Sequence, residues 1–125
     1  MEASNNFPLT LLEVKTARGK KFILIEDISY IKGSSKHCYV FFANAEPMLE
    51  VHCMLKWFTE HLPEPQFCRC HDSFIVNFRY YDCVNGSNII LKDNSYIPVA
   101  PLRKSSTIEK LKVYLMQGRN NSLTA

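Results

Sequence analysis

The chain has 125 residues, 46% hydrophobic and 22% charged with 4 Gly and 6 Pro, which suits one globular domain with a sizeable core and excludes collagen-like, repeat and low-complexity classes. The formal net charge of +3 is uneven: 7 Lys/Arg stand against 8 Asp/Glu in residues 1–65, and 8 against 4 in residues 66–125, a mild basic bias suited to a polyanion. The longest apolar runs, Phe22–Ile25 and Tyr39–Ala43, fall far short of the ~20 residues that span a bilayer, so no membrane partner is expected.

Residues 1–8 read as a tail without the basic and apolar regions of a signal peptide, and a cytoplasmic protein is expected. A domain over 9–117 follows, with 118–125 as a C-terminal tail. Leu9–Lys15 and Lys20–Glu26, around Ala17-Arg18-Gly19, predict a hairpin. Ile28–Lys32 and Cys38–Ala43 form a second pair around a polar loop, Gly33–His37. The runs Phe22–Ile25 and Tyr39–Phe42 are apolar at every position, which suits strands covered on both faces. The period then changes: Val51, Met54, Leu55, Phe58 and Leu62 predict a helix of about three turns, ended by Pro63 and Pro65.

Phe67–His71 and Ser73–Asn77 read as strands. Tyr80–Val84, Asn88–Lys92 and Tyr96–Val99 form an antiparallel meander, with Asn85-Gly86 as a type I′ turn and Asp93-Asn94 as a second turn. After Pro101, the residues Leu102, Ile108, Leu111 and Leu115 predict a closing helix that ends at Gly118. It starts either at Pro101 or at a Ser106/Glu109 capping box. The fold class is mostly β, in antiparallel sheets, with one internal and one C-terminal helix.

The most informative stretch is Phe67-Cys68-Arg69-Cys70-His71-Asp72-Ser73-Phe74-Ile75-Val76-Asn77. With Asp27–Ile31, Tyr39-Val40, Leu55, Leu62-Pro63 and Tyr96–Ala100 in matching order, it resembles the LytTR family of DNA-binding domains over about residues 9–115. The resemblance implies an elongated β domain that binds double-stranded promoter DNA in transcription regulation. Strand-end loops, rather than a recognition helix, would enter the major groove, where base edges carry the full donor and acceptor code. It further implies homodimers or paired binding on repeated half-sites, and an N-terminal signalling domain for which this chain has no room.

By this analogy Ser35–Cys38, His71–Ser73 and Tyr96–Lys104 face DNA. Lys36, Arg103, Lys104 and Arg79 are expected on phosphates, with Arg69 and Arg79 equally readable as solvated faces; His37 and His71 can donate to phosphate or base acceptors and Ser73 to a phosphate oxygen; His37, Cys38, Asp72 and the Ala100 neighbourhood are expected at base edges. Asp72 and Ala100 depart from the polar or basic residues the family usually carries there. Asp72 could accept from cytosine N4 or cap its own turn near Phe74.

Cys68-x-Cys70-His71, near His61, has the residue types of a zinc site, yet in a strand His71 points away from the two thiols and no second pair completes the set, so no metal and no cofactor is expected. Cys70 beside Arg69 and His71 would be a reactive thiolate if exposed and a small hydrophobe if buried. His71-Asp72-Ser73 holds triad residue types, but chain neighbours cannot aim at one another as a triad does, and no enzyme is expected. Asn77 is expected to be structural, and Phe67, Phe74 and Trp57 to be core. Two rivals to DNA binding remain: a protein-interaction module that keeps the fold, and a thiol-gated DNA-binding sensor using Cys38, Cys68 and Cys70.

Overall fold

A computed structural model describes residues 10–123, and the side chains of 10–118. The chain runs β1 (Leu11–Thr16), β2 (Gly19–Leu24), β3 (Ile28–Ser34), β4 (His37–Phe42), β5 (Leu49–Val51), α1 (Leu55–His61), β6 (Phe67–His71), β7 (Phe74–Asn77), β8 (Tyr81–Asn85), β9 (Asn88–Leu91), β10 (Tyr96–Pro98) and α2 (Lys104–Leu123). All pairings are antiparallel. They form a ribbon β1-β2, a central sheet β5-β4-β3-β7-β6, and a meander β10-β9-β8.

The central sheet has a separate core on each face. Strand alternation, shifted by one residue at a bulge between Ile28 and Tyr30, sends Ile28, Ile31, Cys38, Val40 and Ile75 into a first core, shared with Leu12, Val14 and Ile23 of the ribbon and Leu55 and Phe58 of α1. Cys68, Cys70 and Val76 enter a second core with Ile89, Leu91, Ile97 and Leu111. The unbroken apolar run of β7 follows from this: Ile75 faces one core and its neighbour Val76 the other, and burying each side chain contributes about 1.5–3 kcal/mol.

Asn77 joins the two halves and is structural, as its position suggested. Its side chain is fully buried; Nδ2 donates to the Ile28 carbonyl at 2.7 Å, while Oδ1 accepts from the Arg79 backbone N–H at 2.9 Å and from Gln66 Nε2 at 3.3 Å. Gly33 allows close packing of β3 on α1, since a Cβ there would lie 3.1 Å from Leu55 Cβ.

Several expectations are corrected. Phe22 is 62% exposed, because the two-stranded ribbon is covered on one face only. The helix is shorter than its periodicity suggests: Val51 pairs with Cys38 in β5, and exposed Met54 precedes the first turn of α1. The polar loop after β3 is a two-residue turn, Ser35-Lys36, with Ser35 at φ 52°. In the meander Asn85 pairs with Asn88, so Gly86 and Ser87 form the turn, and a left-handed φ of 61° at Gly86 alone is the II′ pattern rather than I′. Leu102 falls on the exposed 3-10 turn Pro101–Arg103 ahead of α2, and Leu115 is exposed on α2; Thr107 and Leu111 are buried, and Tyr114 packs against the second core. Ser106 donates to the Arg103 carbonyl instead of capping the helix. The helix continues through Gly118 to Leu123, where no proline stops it and one glycine costs only about 1 kcal/mol.

Candidate nucleic-acid interface

Three segments far apart in sequence meet at one end of the central sheet. The Gly33 backbone N–H donates to the Ser73 carbonyl at 2.7 Å, which ties the β3–β4 hairpin to the β6–β7 turn. The Ala100 N–H donates to the Cys70 carbonyl at 2.9 Å, which brings the segment leading into α2 beside the same turn. Arg103 then reaches across, its Nη2 lying 3.1 Å from Asp72 Oδ1.

A β-bulge shapes this end. Arg69 pairs with Ile75 and His71 with Phe74, leaving Cys70 as the extra residue of β6. In a regular strand Arg69 and His71 would share a face; the bulge instead turns His71 onto Phe74, ring centroids 5.6 Å apart. This corrects the expectation that His71 points away from Cys68 and Cys70, because Phe74 packs against the core those thiols fill. His71 Nδ1 accepts from the Ser73 N–H at 3.0 Å, so the neutral ring carries its proton on Nε2, a donor free for a base or phosphate acceptor.

Asp72 is 84% exposed at its side chain and pairs with Arg103, neither capping its turn near Phe74 nor standing unpaired. Its carbonyl accepts from Arg69 Nη2 at 2.6 Å. Ser35, Asp72, Ser73, Arg69 and Lys56 line one cleft of about 250 Å³. Exposed Lys36 and Lys104 flank it in chain position, and Arg69, one of the two arginines weighed as phosphate contacts, is joined there by Lys56, which the sequence did not single out. Arg69 was visible in the motif, but Lys56 gave no signal, because only the packing of α1 on β3 brings it here.

Other candidates lie elsewhere. Cys38 is fully buried in the first core, so it offers no surface to a base edge. Its thiol is held protonated, well above the usual range, by a hydrogen bond to Cys53 and by burial. Arg79 sits on the 3-10 turn Phe78–Tyr80, beyond the opposite end of β7 from the turn, with its guanidinium over the Tyr80 ring. Tyr96 is 59% exposed at the start of β10, roughly 13 Å of extended chain from Ala100. Cys70 is the buried hydrophobe of the two readings: burial pushes its thiol up to about 12, and Sγ contacts the Pro98 carbonyl at 3.4 Å. No helix of the described residues is long and apolar enough to cross a membrane.

The family model of the LytTr DNA-binding domain matches residues 19–112. Among solved structures, the chain is similar to a LytTr DNA-binding domain from Bacillus cereus, assigned to a methyl-accepting/DNA response regulator. The two share 25% identity with a TM-score of 0.67, over 83% of this chain and 97% of that one. No curated protein matches significantly. Since the matched segment holds the Phe67–Asn77 motif and all three segments that meet beside it, the chain belongs to the LytTR family of DNA-binding domains.

Proposed function

We propose that this domain binds double-stranded promoter DNA with sequence preference, presenting the Ser35-Lys36 turn, the His71–Ser73 turn and the Ala100–Lys104 segment to the major groove. Membership of a DNA-binding family supports a role in transcription regulation. The observation that carries the finer reading is the convergence of the three segments through the Gly33–Ser73, Ala100–Cys70 and Arg103–Asp72 contacts. Short turns standing at a sheet end can reach a groove that a flat sheet face cannot. Lys36, Lys56, Arg69, Arg103 and Lys104 supply phosphate contacts, whereas His37, and His71 through its Nε2–H, are suited to base acceptors. Asp72 tempers the cluster by occupying Arg103, so affinity is modest and strongly salt-dependent. Two copies on repeated half-sites would extend the footprint.

The test is a fluorescence-anisotropy titration against a duplex selected from a random pool and a scrambled duplex, each at two salt concentrations. Arg103→Ala should weaken binding to both duplexes and flatten the salt dependence. His71→Ala should narrow the gap between them. Absence of binding to either duplex at low salt overturns the reading and favours a protein-interaction module on the same fold.

A further inference from the structure

The β4–β5 pair carries a second cluster of chemistry-bearing side chains, apart from the paired Asp72 and Arg103. Cys38 lies opposite Val51 and Tyr39 opposite Glu50, so the ladder sets His37 across from His52. Alternation puts Glu50 on the same face as His52, the residue that follows β5, while Cys38 and Val51 turn inward to the first core. The three outward side chains converge. His37 Nε2 stands 3.8 Å from Glu50 Oε2, the imidazoles of His37 and His52 meet edge to face with centroids 4.8 Å apart, and one donor atom from each residue lies within 4.8 Å of the others.

We propose that His37, Glu50 and His52 form a binding site for a divalent transition-metal ion of the zinc class. Two imidazoles and one carboxylate are a donor set suited to such ions, with ligand bonds of about 2.0–2.2 Å. Ligands around a tetrahedral ion stand roughly 3.4 Å apart, so a contraction of up to about 1.4 Å, within reach of rotamer adjustment of partly exposed side chains, completes three coordination positions. A water or an exogenous ligand takes the fourth, as in sites that remain open. The backbone is already fixed. The β4–β5 ladder sets the spacing, and the His52 N–H donates to the Lys15 carbonyl at 2.8 Å, fastening the end of β5 to the ribbon. The site adjoins the Ser35-Lys36 turn, so a bound ion would hold His37 at one edge of the surface assigned to DNA.

Metal binding is measurable without DNA, so its failure and that of the proposed function are distinguishable. The tag-free chain is titrated with Co2+ and then with Zn2+, following visible absorption, alongside His37→Ala, His52→Ala, Glu50→Gln and the remote His61→Ala. Thermal unfolding of each variant verifies that it folds. The expected result is one equivalent of Co2+ with a tetrahedral or five-coordinate spectrum, displaced by Zn2+. Affinity should fall at least about 10-fold in His37→Ala and His52→Ala and stay unchanged in His61→Ala. A non-saturating titration, an unaltered spectrum in folded His52→Ala, or sulfur-to-metal charge-transfer bands that assign the ion to thiolates would each overturn the proposal.

Discussion

The two ends of β7 carry polar residues of nearly the same size that do opposite things. At one end Asp72, in the turn before the strand, is exposed and meets a single cation, Arg103, from a segment 31 residues away. At the other Asn77 is fully buried and holds the Ile28 carbonyl and the Arg79 N–H together in the space between the two cores. The difference is one of solvent. An exposed pair exchanges water for protein at little net gain, whereas a buried amide removed from its partners leaves backbone groups that nothing replaces. One continuous motif thus combines an end open to substitution in its charge with an end fixed by burial.

The strongest way to break this contrast is Asn77→Ala, which should destabilise the domain by about 3 kcal/mol in urea unfolding, because the Ile28 carbonyl and Arg79 N–H lose their partner together. A loss under about 1 kcal/mol would show that water replaces the amide.

The next effect is alkaline. The Cys70 thiol is pushed up to about 12 by burial, from an ordinary value of 9.0, so the unfolded chain releases this proton first. Stability from this group is complete below pH 9 and is lost as pH rises from 9 towards 12, at about 1.4 kcal/mol per pH unit. Cys70→Ala should flatten that limb of the unfolding curve, and an unchanged slope would assign it to other groups.

At the open end, Arg103→Ala should weaken DNA binding about tenfold while shifting stability by less than about 0.5 kcal/mol. Asp72→Asn should tighten binding about threefold by releasing Arg103 for phosphate. Were Asp72→Asn to weaken binding or change the preferred sequence instead, the carboxylate would be a base reader and not a brake. Both are read by the same anisotropy titration.

Much of this was legible in the residues. The meander and the order of strands and helices follow from local patterns of apolar residues and turn formers, whereas the Phe67–Asn77 motif was legible through its resemblance to a known family, and the structural role of Asn77 through its place in that motif. What stayed hidden depends on pairing across the chain. Val51 satisfies a helical period, yet the ladder with Cys38 outcompetes it; reading that stretch as helix also concealed the alignment of His52 with His37. Asp72 stood out as a departure, but its partner Arg103 arrives through a tertiary contact that no short window contains. Cys38 lies next to an exposed turn and still faces inward, because side chains alternate along the strand.

The bulge at Cys70 has a consequence for how this segment tolerates change. Its extra residue rotates His71 out of the Arg69 face, and its carbonyl is the one that Ala100 engages. The residue count between Phe67 and Phe74 therefore encodes an angle. Swapping Cys70 for another small apolar residue alters packing alone, whereas deleting it would leave His71 alternating directly with Arg69 and remove both a core side chain and the carbonyl that the Ala100 N–H engages on the approach to α2. In grafting this surface onto another scaffold, the spacing of the segment is the feature to preserve before any individual side chain.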